Sequence, residues 1–594
     1  MADRAHIVLV ETASNQAFVF QTNKLREIVG ASGLIHEAGT HWAAACLSQA
    51  EGADRDNPSD PAEGAVGTVE GRARRLRAAP LIETGAVVEP VVLTSGKAVF
   101  LVDSRARGEA LVCALTLRAL KEAPGLTVRG AVSDEAIDLG ADTAKNTGGA
   151  MRNLFRSVEA LRLALPPAEA RFALLPPVEP CRTSGLPSEG TERGEPLSAP
   201  SLAKRRAVWA AMTRVRADLP GLPLADNPDD LVEAMRLPWL GVVHADGNGF
   251  GQVFMNLAAY CKGKDGKDPT ARDYLNLYRN LSVALDLVGV TALRSAAPVL
   301  GTRALKGQKD GAVPLLVNVM GGDDLTVICD GSRAVAFARA YLDAFEEAVR
   351  QETFDLGDGR TMTNPICRLT DVSGTPMRFG AAAGIAIVKP HHPLHRAYEL
   401  AEELTRSAKA LVKRRFSDPG LSALDFQIVF GDSTSDLGDL RAGWQIASLG
   451  AVARAHARPY VTTAPSRVAE DKRPLAETRH FARLEQARAQ LHRQDGGRKA
   501  LPRAQQHELR DALFGGKAVA DARLQLIAAR YGEAGSGGGG GIDWTRFGGS
   551  ATTLYFDDHS DAKGMEDETP LFRTRLLDAM DLIDVGQHDA ADAP

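Results

Sequence analysis

One segment of the sequence, residues 240–429, constrains the possible fold more than any other part. Apolar runs and helical patterns alternate there in the order strand, helix, two strands joined by a tight turn, helix and strand, followed by one more helix and strand. This is the order of the split βαβ, ferredoxin-like arrangement, in which helices pack on one face of an antiparallel sheet. The patterns predict strands at 240–245, 315–319, 325–329, 380–388 and 423–429, and helices at about 274–295, 333–350 and 394–415.

The N-terminal residues contain the same pieces in the same order. A strand at 7–10, a helical pattern at 18–30, a hairpin at 91–102, a helix at 106–122 and a β-rich run at 126–131 follow one another. LVETASNQAF resembles VVHADGNGFG of the later segment, and LTSGKAVFLV resembles VMGGDDLTVI. We therefore predict an internal duplication. Only the second copy carries acids at both places, because the first has Ala13 and a Ser-Gly-Lys turn there.

The length of 594 residues suggests three or four packing units. The predicted fold class is α+β, with two ferredoxin-like domains at 1–150 and 236–432, a Pro- and Ser-rich connector at 151–235, and a C-terminal helical domain at 433–594. In that last domain we predict helices at 440–457, 475–491, 505–531 and 574–582, and a Gly-rich loop at 535–541 that is flexible.

Charge and composition exclude several classes of protein. A net charge of -5 and a pI near 6.3 argue against binding long polyanions by electrostatics alone. Six scattered cysteines without a CxxC pair argue against a disulfide framework and an intact zinc knuckle. The N-terminal apolar run is too short for a signal peptide, and no later run reaches the roughly eighteen residues of a membrane span. We predict a cytoplasmic protein without a membrane partner.

Three aspartates are the candidate catalytic and metal-binding residues. The predicted hairpin carries Gly321, Gly322, Asp323 and Asp324 at its tip, where glycine permits a tight turn and close approach of a ligand. Asp246 ends the strand that lies beside this hairpin in a ferredoxin-like sheet. Two such charges about 4 Å apart repel by roughly 4 kcal/mol at an effective dielectric near 20, and a divalent cation removes that cost. Oxygen ligands favour Mg²⁺ or Mn²⁺ over zinc.

A metal held in this way is half of a phosphoryl-transfer site, and a phosphate cradle is the other half. The turn after Asp246 offers successive backbone N–H groups at the start of a helix, which suits a triphosphate. Its residues are Gly247, Asn248, Gly249, Phe250 and Gly251. Lys409 lies on an amphipathic helix, and either neutralises a phosphate or is a solvated surface lysine. The histidines at 391, 392 and 395 are interpreted as a loop-to-helix entry, because Pro393 interrupts them.

In order and context these residues resemble the large polymerase-cyclase subunit family of type III CRISPR effector complexes, over about two thirds of the chain. FVFQTNKLREIVGASGLI resembles the family's first-palm signature, HADGNGFG and GGDDL its second-palm metal motifs, and FGAAAGIAIVKPHHPLHRAYELAEELTRSAKALVKRR its following strand and helix. The resemblance implies two palm domains and the conversion of ATP into cyclic oligoadenylate messengers, in antiviral defence. It implies metal roles for Asp246, Asp323 and Asp324, and a triphosphate role for Lys409.

The sequence departs from the family pattern in three ways. It shows no N-terminal His-Asp nuclease domain, so a variant without DNA cleavage is expected. PCRTSGLPSE resembles the family's zinc-bearing segment, but Cys181 has no partner cysteine, which argues against a metal there. The first palm lacks the acids and is expected to be a structural or pairing half.

The leading hypothesis is a metal-dependent cyclase or oligonucleotide synthase, in which a 3′-hydroxyl attacks an α-phosphate and pyrophosphate leaves. The alternative is a non-catalytic or nucleotide-binding scaffold subunit of an RNA-guided complex. A templated polymerase is disfavoured by the modest charge and the lack of an obvious basic duplex channel. Expected partners are a nucleoside triphosphate, guide RNA with CRISPR effector subunits, and a second copy of the chain.

Overall fold

The computed structural model of the chain describes residues 4–50, 67–164, 168–172, 177–263, 267–305, 311–357, 359–371, 373–431, 436–448, 451–495, 498–531, 542–558 and 571–586. Helices and mainly antiparallel sheets are mixed, which agrees with the predicted α+β class. The predicted Gly-rich loop at 535–541 lies outside the described residues. One stretch, Ala271–Leu300, is long and apolar enough to cross a membrane, but 72% of its most apolar window is buried inside the protein. It is therefore a core helix of this fold.

The N-terminal sheet has the strand order β2-β3-β1-β4. The short strand β5 pairs with the first residues of β1, Arg4 and Ala5. The strands of this sheet are β1 Arg4–Ala13, β2 Val88–Thr94, β3 Lys97–Val102, β4 Thr127–Val132 and β5 Ile137–Asp138. The helices of this part are α1 Asn15–Val19, α2 Leu25–Gly39, α3 His41–Ala50, α4 Val69–Ala78 and α5 Arg105–Glu122. The strand and the hairpin predicted at the N-terminus are confirmed. The helical pattern predicted at 18–30 is interrupted at 20–24, and α2 continues beyond it to Gly39.

The connector is more ordered than its composition suggests. It contains α6 Ala144–Ala164, β6 Gly190–Glu192, β7 Glu195–Leu197, α7 Ala199–Asp218 and α8 Asp230–Glu233. Helix α6 runs through residue 150, where the boundary between the first domain and the connector was predicted. Helix α7 packs tightly on α2, since a Cβ at Gly30 would lie 1.7 Å from the Lys204 carbonyl oxygen and one at Gly33 2.7 Å from Ala211. The connector therefore shares the core of the N-terminal sheet.

The second sheet contains the predicted segment. Its strands and those nearby are β8 Leu240–Gly247, β9 Leu315–Gly321, β10 Asp324–Asp330, β11 Thr353–Asp355, β12 Thr361–Thr363, β13 Ala381–Val388 and β14 Ala423–Ile428. The helices are α9 Phe250–Met255, α10 Ala271–Ala296, α11 Ala334–Arg350 and α12 Leu394–Leu411. Strand β13 is buried on both faces. Gly384 is small there because helix α12 crosses closely: an added Cβ would lie 2.0 Å from the Ala401 carbonyl oxygen.

Both large sheets place their strands in the same order. In the N-terminal sheet the neighbouring strands are the second, third, first and fourth in chain order. The strands β9, β10, β8 and β13 of the second sheet lie side by side in the same order. The second sheet then continues through β14, which is parallel to β13, to a short strand from the C-terminal region. The common order is what an internal duplication predicts.

The C-terminal region is not purely helical, and in this respect the prediction is wrong. Its strands are β15 Gln445–Ser448, β16 Ala451–Arg454, β17 Tyr460–Val461, β18 Gln494–Asp495, β19 Arg498–Lys499, β20 Phe556–Asp557 and β21 Leu571–Arg573. Its helices are α13 Leu437–Ala442, α14 Arg473–Thr478, α15 Phe481–His492, α16 Arg503–Leu513, α17 Lys517–Tyr531 and α18 Leu576–Gly586. Strands β15, β16, β21 and β20 form a sheet, and β17 joins the second large sheet beside β14.

Two predicted C-terminal helices are replaced by other structure. The helix expected at 440–457 ends at Gly443, and a hairpin follows it. The helix expected at 505–531 is two helices, because Gly515 and Gly516 lie between them and Gly516 has a φ of +89°. Glycine adopts that conformation without strain, which lets the chain turn and start a second helix.

Candidate active site

The first and last of the three candidate aspartates are brought together by the register of two neighbouring strands. Strands β8 and β10 are antiparallel, and Asp246 lies directly opposite Asp324. Residues opposite each other in such a pair have Cα atoms about 4.5–5.5 Å apart. Asp323 is in the turn before β10, and its carbonyl oxygen accepts a hydrogen bond from the Gly247 N–H at 3.1 Å. All three residues therefore lie at one edge of one sheet.

Lys409 reaches this edge from helix α12. Its ammonium nitrogen lies 2.6 Å from an Asp246 carboxylate oxygen and donates to the Gly247 carbonyl oxygen at 3.1 Å. Lys409 therefore points toward the candidate aspartates, although its side chain keeps about one third of its surface exposed. Residue Thr405, one turn earlier on the same helix, donates to the His244 carbonyl oxygen at 2.9 Å and anchors α12 on strand β8.

The hairpin carboxylates are held where their charged forms are unfavourable. Partial burial, and secondly the Asp246 carboxylate, raise the pKa of Asp323 well above its usual range and that of Asp324 to about 7. One carboxylate oxygen of Asp324 is buried without a hydrogen-bond partner. Groups of this kind gain most from a bound cation, which stabilises their deprotonated form.

The oxygen atoms of the three aspartates are ligands of the type that a hard divalent cation prefers. Asp246, Asp323 and Asp324 supply only oxygen ligands, and the unpartnered Asp324 oxygen is available to an ion. Among the described residues, no three His, Cys, Asp or Glu side chains converge on a common point as they stand. Asp246 is instead paired with Lys409.

The predicted phosphate cradle is smaller than the sequence suggested. The backbone N–H groups of Gly247 and Asn248 donate to Asp323 and Gly380, and the Asn248 side-chain amide donates to the Leu421 carbonyl oxygen. Phe250 is buried and stacks on Phe379 with ring centroids 4.6 Å apart. Neither Asn248 nor Phe250 presents its side chain to a ligand. The N–H groups of residues 249–251, at the start of the short helix α9, are what remains.

The two hairpin glycines are required for different reasons. Gly322 has a φ of +64°, the left-handed conformation that glycine tolerates. A Cβ added to Gly321 would lie 2.9 Å from the Ser95 Cβ, in the turn of the N-terminal hairpin. The tips of the two hairpins therefore touch, and the first sheet helps to fix the aspartates of the second.

Sequence reasoning missed Asp286, a buried acid on the core helix α10. One of its carboxylate oxygens accepts from the Gly322 N–H at 2.6 Å and from the Thr94 hydroxyl at 3.0 Å. Its other oxygen lies 3.4 Å from the Arg72 guanidinium. Asp286 thus joins the GGDD turn to the N-terminal hairpin. No local motif signals it, because its partners are distant in sequence.

His244 was also missed, although its position two residues before Asp246 on the same strand could have indicated it. Residues two apart on a strand face the same side, and the His244 Nδ1 lies 3.4 Å from Asp324 and 3.0 Å from the Thr326 hydroxyl. Burial lowers the pKa of His244. Tyr398 packs edge-on against the His244 ring, at 5.6 Å between centroids, and accepts a hydrogen bond from Gln16 of the N-terminal part.

A recess of about 590 Å³ lies directly beside the aspartates. Asp323 and Gly322 form one part of its wall, and the N-terminal hairpin, α6, α9 and α10 form the rest. Its lining combines aromatic rings with cationic groups: Phe155, Phe254, Tyr274, Tyr278, Lys97 and Arg152. This volume and this combination suit a ligand with a flat base and a negatively charged chain.

The remaining candidate features lie elsewhere. His391 and His392 precede helix α12 and His395 lies in its first turn, so the loop-to-helix interpretation is confirmed. All six cysteines are free. Cys181 is buried among hydroxyl groups, 3.3 Å from Thr183 and 3.6 Å from Ser201.

No protein-family model matches the chain, and no curated protein matches it. Among solved structures, the chain is similar to an apo Csm1-Csm4 cassette, with a TM-score of 0.40, 11% identity, and coverage of 82% of this chain and 62% of that one. For a Csm1-Csm4 cassette in complex with cA4, the TM-score is 0.38 and the identity 11%, with coverage of 89% of this chain and 70% of that one. For a Csm1-Csm4 subcomplex of the type III-A CRISPR-Csm interference complex, the TM-score is 0.36 and the identity 11%, with coverage of 76% of this chain and 60% of that one. The chain thus spans about 62% of the length of the first of these.

Proposed function

We propose that this protein is a palm-type, metal-dependent nucleotidyltransferase that joins ATP into cyclic oligonucleotides. The observation that carries the proposal is the pairing of Asp246 with Asp324 at the sheet edge that also holds Asp323 and Lys409. In this proposal the two sheets are ferredoxin-like palms, and the first serves as a structural partner of the second. The shared strand order and the contact between Gly321 and Ser95 support that division.

The residues around the recess have distinct proposed roles. The aromatic side chains Tyr274 and Tyr278 hold the base, and Lys97 and Arg152 hold phosphate groups. Lys409 neutralises the triphosphate, and Asp286 fixes the turn that carries Asp323. The 3′-hydroxyl oxygen of one nucleotide then attacks the α-phosphorus of another. The bond to the β-phosphate oxygen breaks, pyrophosphate leaves, and the hydroxyl proton is lost to water.

Asp246, Asp323 and Asp324 would hold Mg²⁺ or Mn²⁺. When bound, such an ion supplies charge neutralisation at the transferring phosphate. The raised pKa of Asp324 and its unpartnered oxygen support this assignment.

Product analysis tests the proposal. Purified protein is incubated with each of the four triphosphates and Mn²⁺, and the products are identified by mass spectrometry. We expect cyclic or linear oligonucleotides from ATP, and a loss of about 100-fold or more in the double variant Asp323→Asn/Asp324→Asn. Asp343→Asn is the matched control, because this half-exposed acid lies on α11 and pairs with Arg339 on its own helix. Absence of product from every triphosphate, with and without RNA, would contradict the proposal.

We further propose that the chain works beside RNA-guided effector proteins inside the cell, which the motif resemblance supports. Affinity purification from the native host, with sequencing of bound RNA, tests this association. Recovery of guide RNA together with product formation that is unchanged in Asp323→Asn/Asp324→Asn would favour the scaffold alternative over catalysis.

A further inference from the structure

A second recess, of about 710 Å³, lies between helix α12, the turn after it and the C-terminal region. None of the three candidate catalytic aspartates lines it. Its lining contains eight arginines and one histidine against a single acid, Glu403. The carboxylate of Glu403 already accepts a hydrogen bond from the Leu437 N–H at 2.8 Å. Arginine is therefore the dominant charged group of this wall. Burial, and secondly the neighbouring arginines, lower the pKa of His456 well below its usual range, so His456 adds no charge near neutral pH.

Acids behind the wall neutralise only part of this charge. The buried carboxylate of Asp558 is shared among three guanidinium groups, those of Arg573 at 2.6 Å, Arg479 at 3.2 Å and Arg415 at 3.7 Å. Asp425 is occupied by a two-pronged ion pair with Arg441, at 2.9 and 2.7 Å. Arg458 is paired with both Asp578 and Asp581, and Arg406 lies 3.7 Å from Glu402. The single carboxylate of Asp558 cannot balance its three arginines, so positive charge is left over around it.

Several groups in the wall lack either an ion-pair partner or a hydrogen-bond partner for one of their nitrogen atoms. Arg414 and Arg454 make no ion pair within the part of the chain that the structure describes. Burial, and secondly the neighbouring Arg573, lower the pKa of Arg454 to about 10. The Nδ1 of His456 and the Nε of Arg479 are buried without a hydrogen-bond partner. His456 is 5% exposed and Arg479 2% exposed. A bound anion would satisfy such groups and offset their mutual repulsion.

We propose that this recess binds a small ligand through its phosphate groups, such as a polyphosphate chain or a nucleotide. Planar guanidinium groups match phosphate oxygens in pairs, which explains a wall built of arginine rather than lysine. The volume suits a ligand of nucleotide size. The net charge of -5 disfavours a long polyanion. This inference does not depend on the proposed function.

Calorimetric titration with inorganic tripolyphosphate tests the proposal. EDTA is present, and the protein carries Asp323→Asn/Asp324→Asn, so that metal-dependent binding at the active site does not contribute. We expect one ligand per chain, and binding about tenfold weaker in Arg454→Gln and in Arg414→Gln. Arg396→Gln is the matched control. This exposed arginine lies on helix α12, which forms part of the wall, but it pairs with Glu399 outside the recess. Its affinity should equal that of the parent protein.

Two further arms identify the source of the phosphate. ATP should compete with tripolyphosphate if a nucleotide is the ligand, and a failure to compete would restrict the ligand to inorganic polyphosphate. Binding of single-stranded RNA alone, with loss in Arg454→Gln, would overturn the small-ligand proposal in favour of nucleic acid. No tripolyphosphate binding by any protein, or equal binding by all variants, would overturn it altogether. Thermal melting of each variant confirms that it is folded.

Discussion

At the scale of single residues, the geometry of the GGDD turn depends on the buried carboxylate of Asp286. The Gly322 N–H and the Thr94 hydroxyl share one of its oxygens, so the same atom fixes the turn and the N-terminal hairpin. A buried donor that loses its acceptor costs about 1–3 kcal/mol.

We therefore predict that Asp286→Ala lowers the free energy of unfolding by about 1–3 kcal/mol. It should also reduce product formation more than it changes the KM for ATP, because the turn that carries Asp323 is no longer held. Asp286→Asn keeps an acceptor oxygen and should recover most of both losses. Urea unfolding and steady-state kinetics measure the two effects, and equal behaviour of the Ala and Asn variants would contradict this role.

The Lys409 ammonium nitrogen lies 2.6 Å from a carboxylate oxygen of Asp246 and occupies one side of that side chain. Both side chains are about one third exposed, so their pairing contributes only about 1 kcal/mol or less. We predict that Lys409→Met increases the rise in melting temperature caused by Mn²⁺, because the ammonium no longer competes for Asp246. Lys413→Met, in the exposed turn beyond the helix, is the control. A smaller Mn²⁺ effect in Lys409→Met than in wild type would refute the competition.

The sequence predicted the residues of the site better than the contacts that hold them. Asp246, Asp323 and Asp324 were identifiable because strand order alone brings them to one edge. Asp286 and His244 were not, since their roles depend on packing against distant segments. The cradle at 247–251 is smaller than predicted, because the N–H groups of Gly247 and Asn248 donate to the carbonyl oxygens of Asp323 and Gly380.

At the scale of elements, a buried lysine attaches the connector helix α7 to helix α1 and to the turn that follows α1. The Lys204 ammonium is 1% exposed and donates to the Phe18 carbonyl oxygen at 2.6 Å and to Gln21 at 3.2 Å. Burial lowers its pKa to about 8, partly offset by Glu27. In the unfolded chain a lysine titrates near 10.4.

Between about pH 8 and 10.4 the unfolded state therefore binds more protons at Lys204 than the folded state, so this group makes stability rise with pH. We predict that the free energy of unfolding of wild type, relative to Lys204→Met, increases from pH 8 to pH 10. Below pH 8 the difference should be constant, because the lysine is charged in both states. Urea titrations at four pH values measure it, and a difference independent of pH would contradict the assignment.

The C-terminal elements were the least predictable from sequence. Alanine-rich stretches such as 451–457 satisfy a helical pattern and an edge strand equally well, because alanine fits either face. Tertiary pairing decided the outcome, since β16 adds to β21 more than one hundred residues later. By contrast, the strands of the second sheet were predictable from mainly apolar runs, of which β13 is wholly apolar.

At the scale of the whole molecule, Arg458 ties the end of the chain to the second sheet. Its fully buried guanidinium pairs with Asp578 at 2.8 Å and with Asp581, and donates to the Phe426 carbonyl oxygen at 3.0 Å. Removing one partner of such a pair leaves an uncompensated buried charge, at a cost of about 3–5 kcal/mol.

We predict that Arg458→Met lowers the free energy of unfolding by about 3–5 kcal/mol. The double variant Arg458→Met/Asp578→Asn should recover part of that loss, because the stranded carboxylate is then neutral. Denaturant titration of both variants measures the difference. No recovery in the double variant would mean that the guanidinium acts by filling space rather than by charge.

The short strand β17 has a consequence for how the molecule is made. Because Tyr460 and Val461 form the outer edge beside β14, the sheet that carries the aspartates is incomplete until these residues have left the ribosome. During synthesis the N-terminal sheet and its connector can fold early, while β14 waits with an open edge that is prone to pair with other chains. The sheet therefore reaches its full width only after Val461 has been made, and a chain truncated between Ile428 and Tyr460 would leave the edge of β14 exposed.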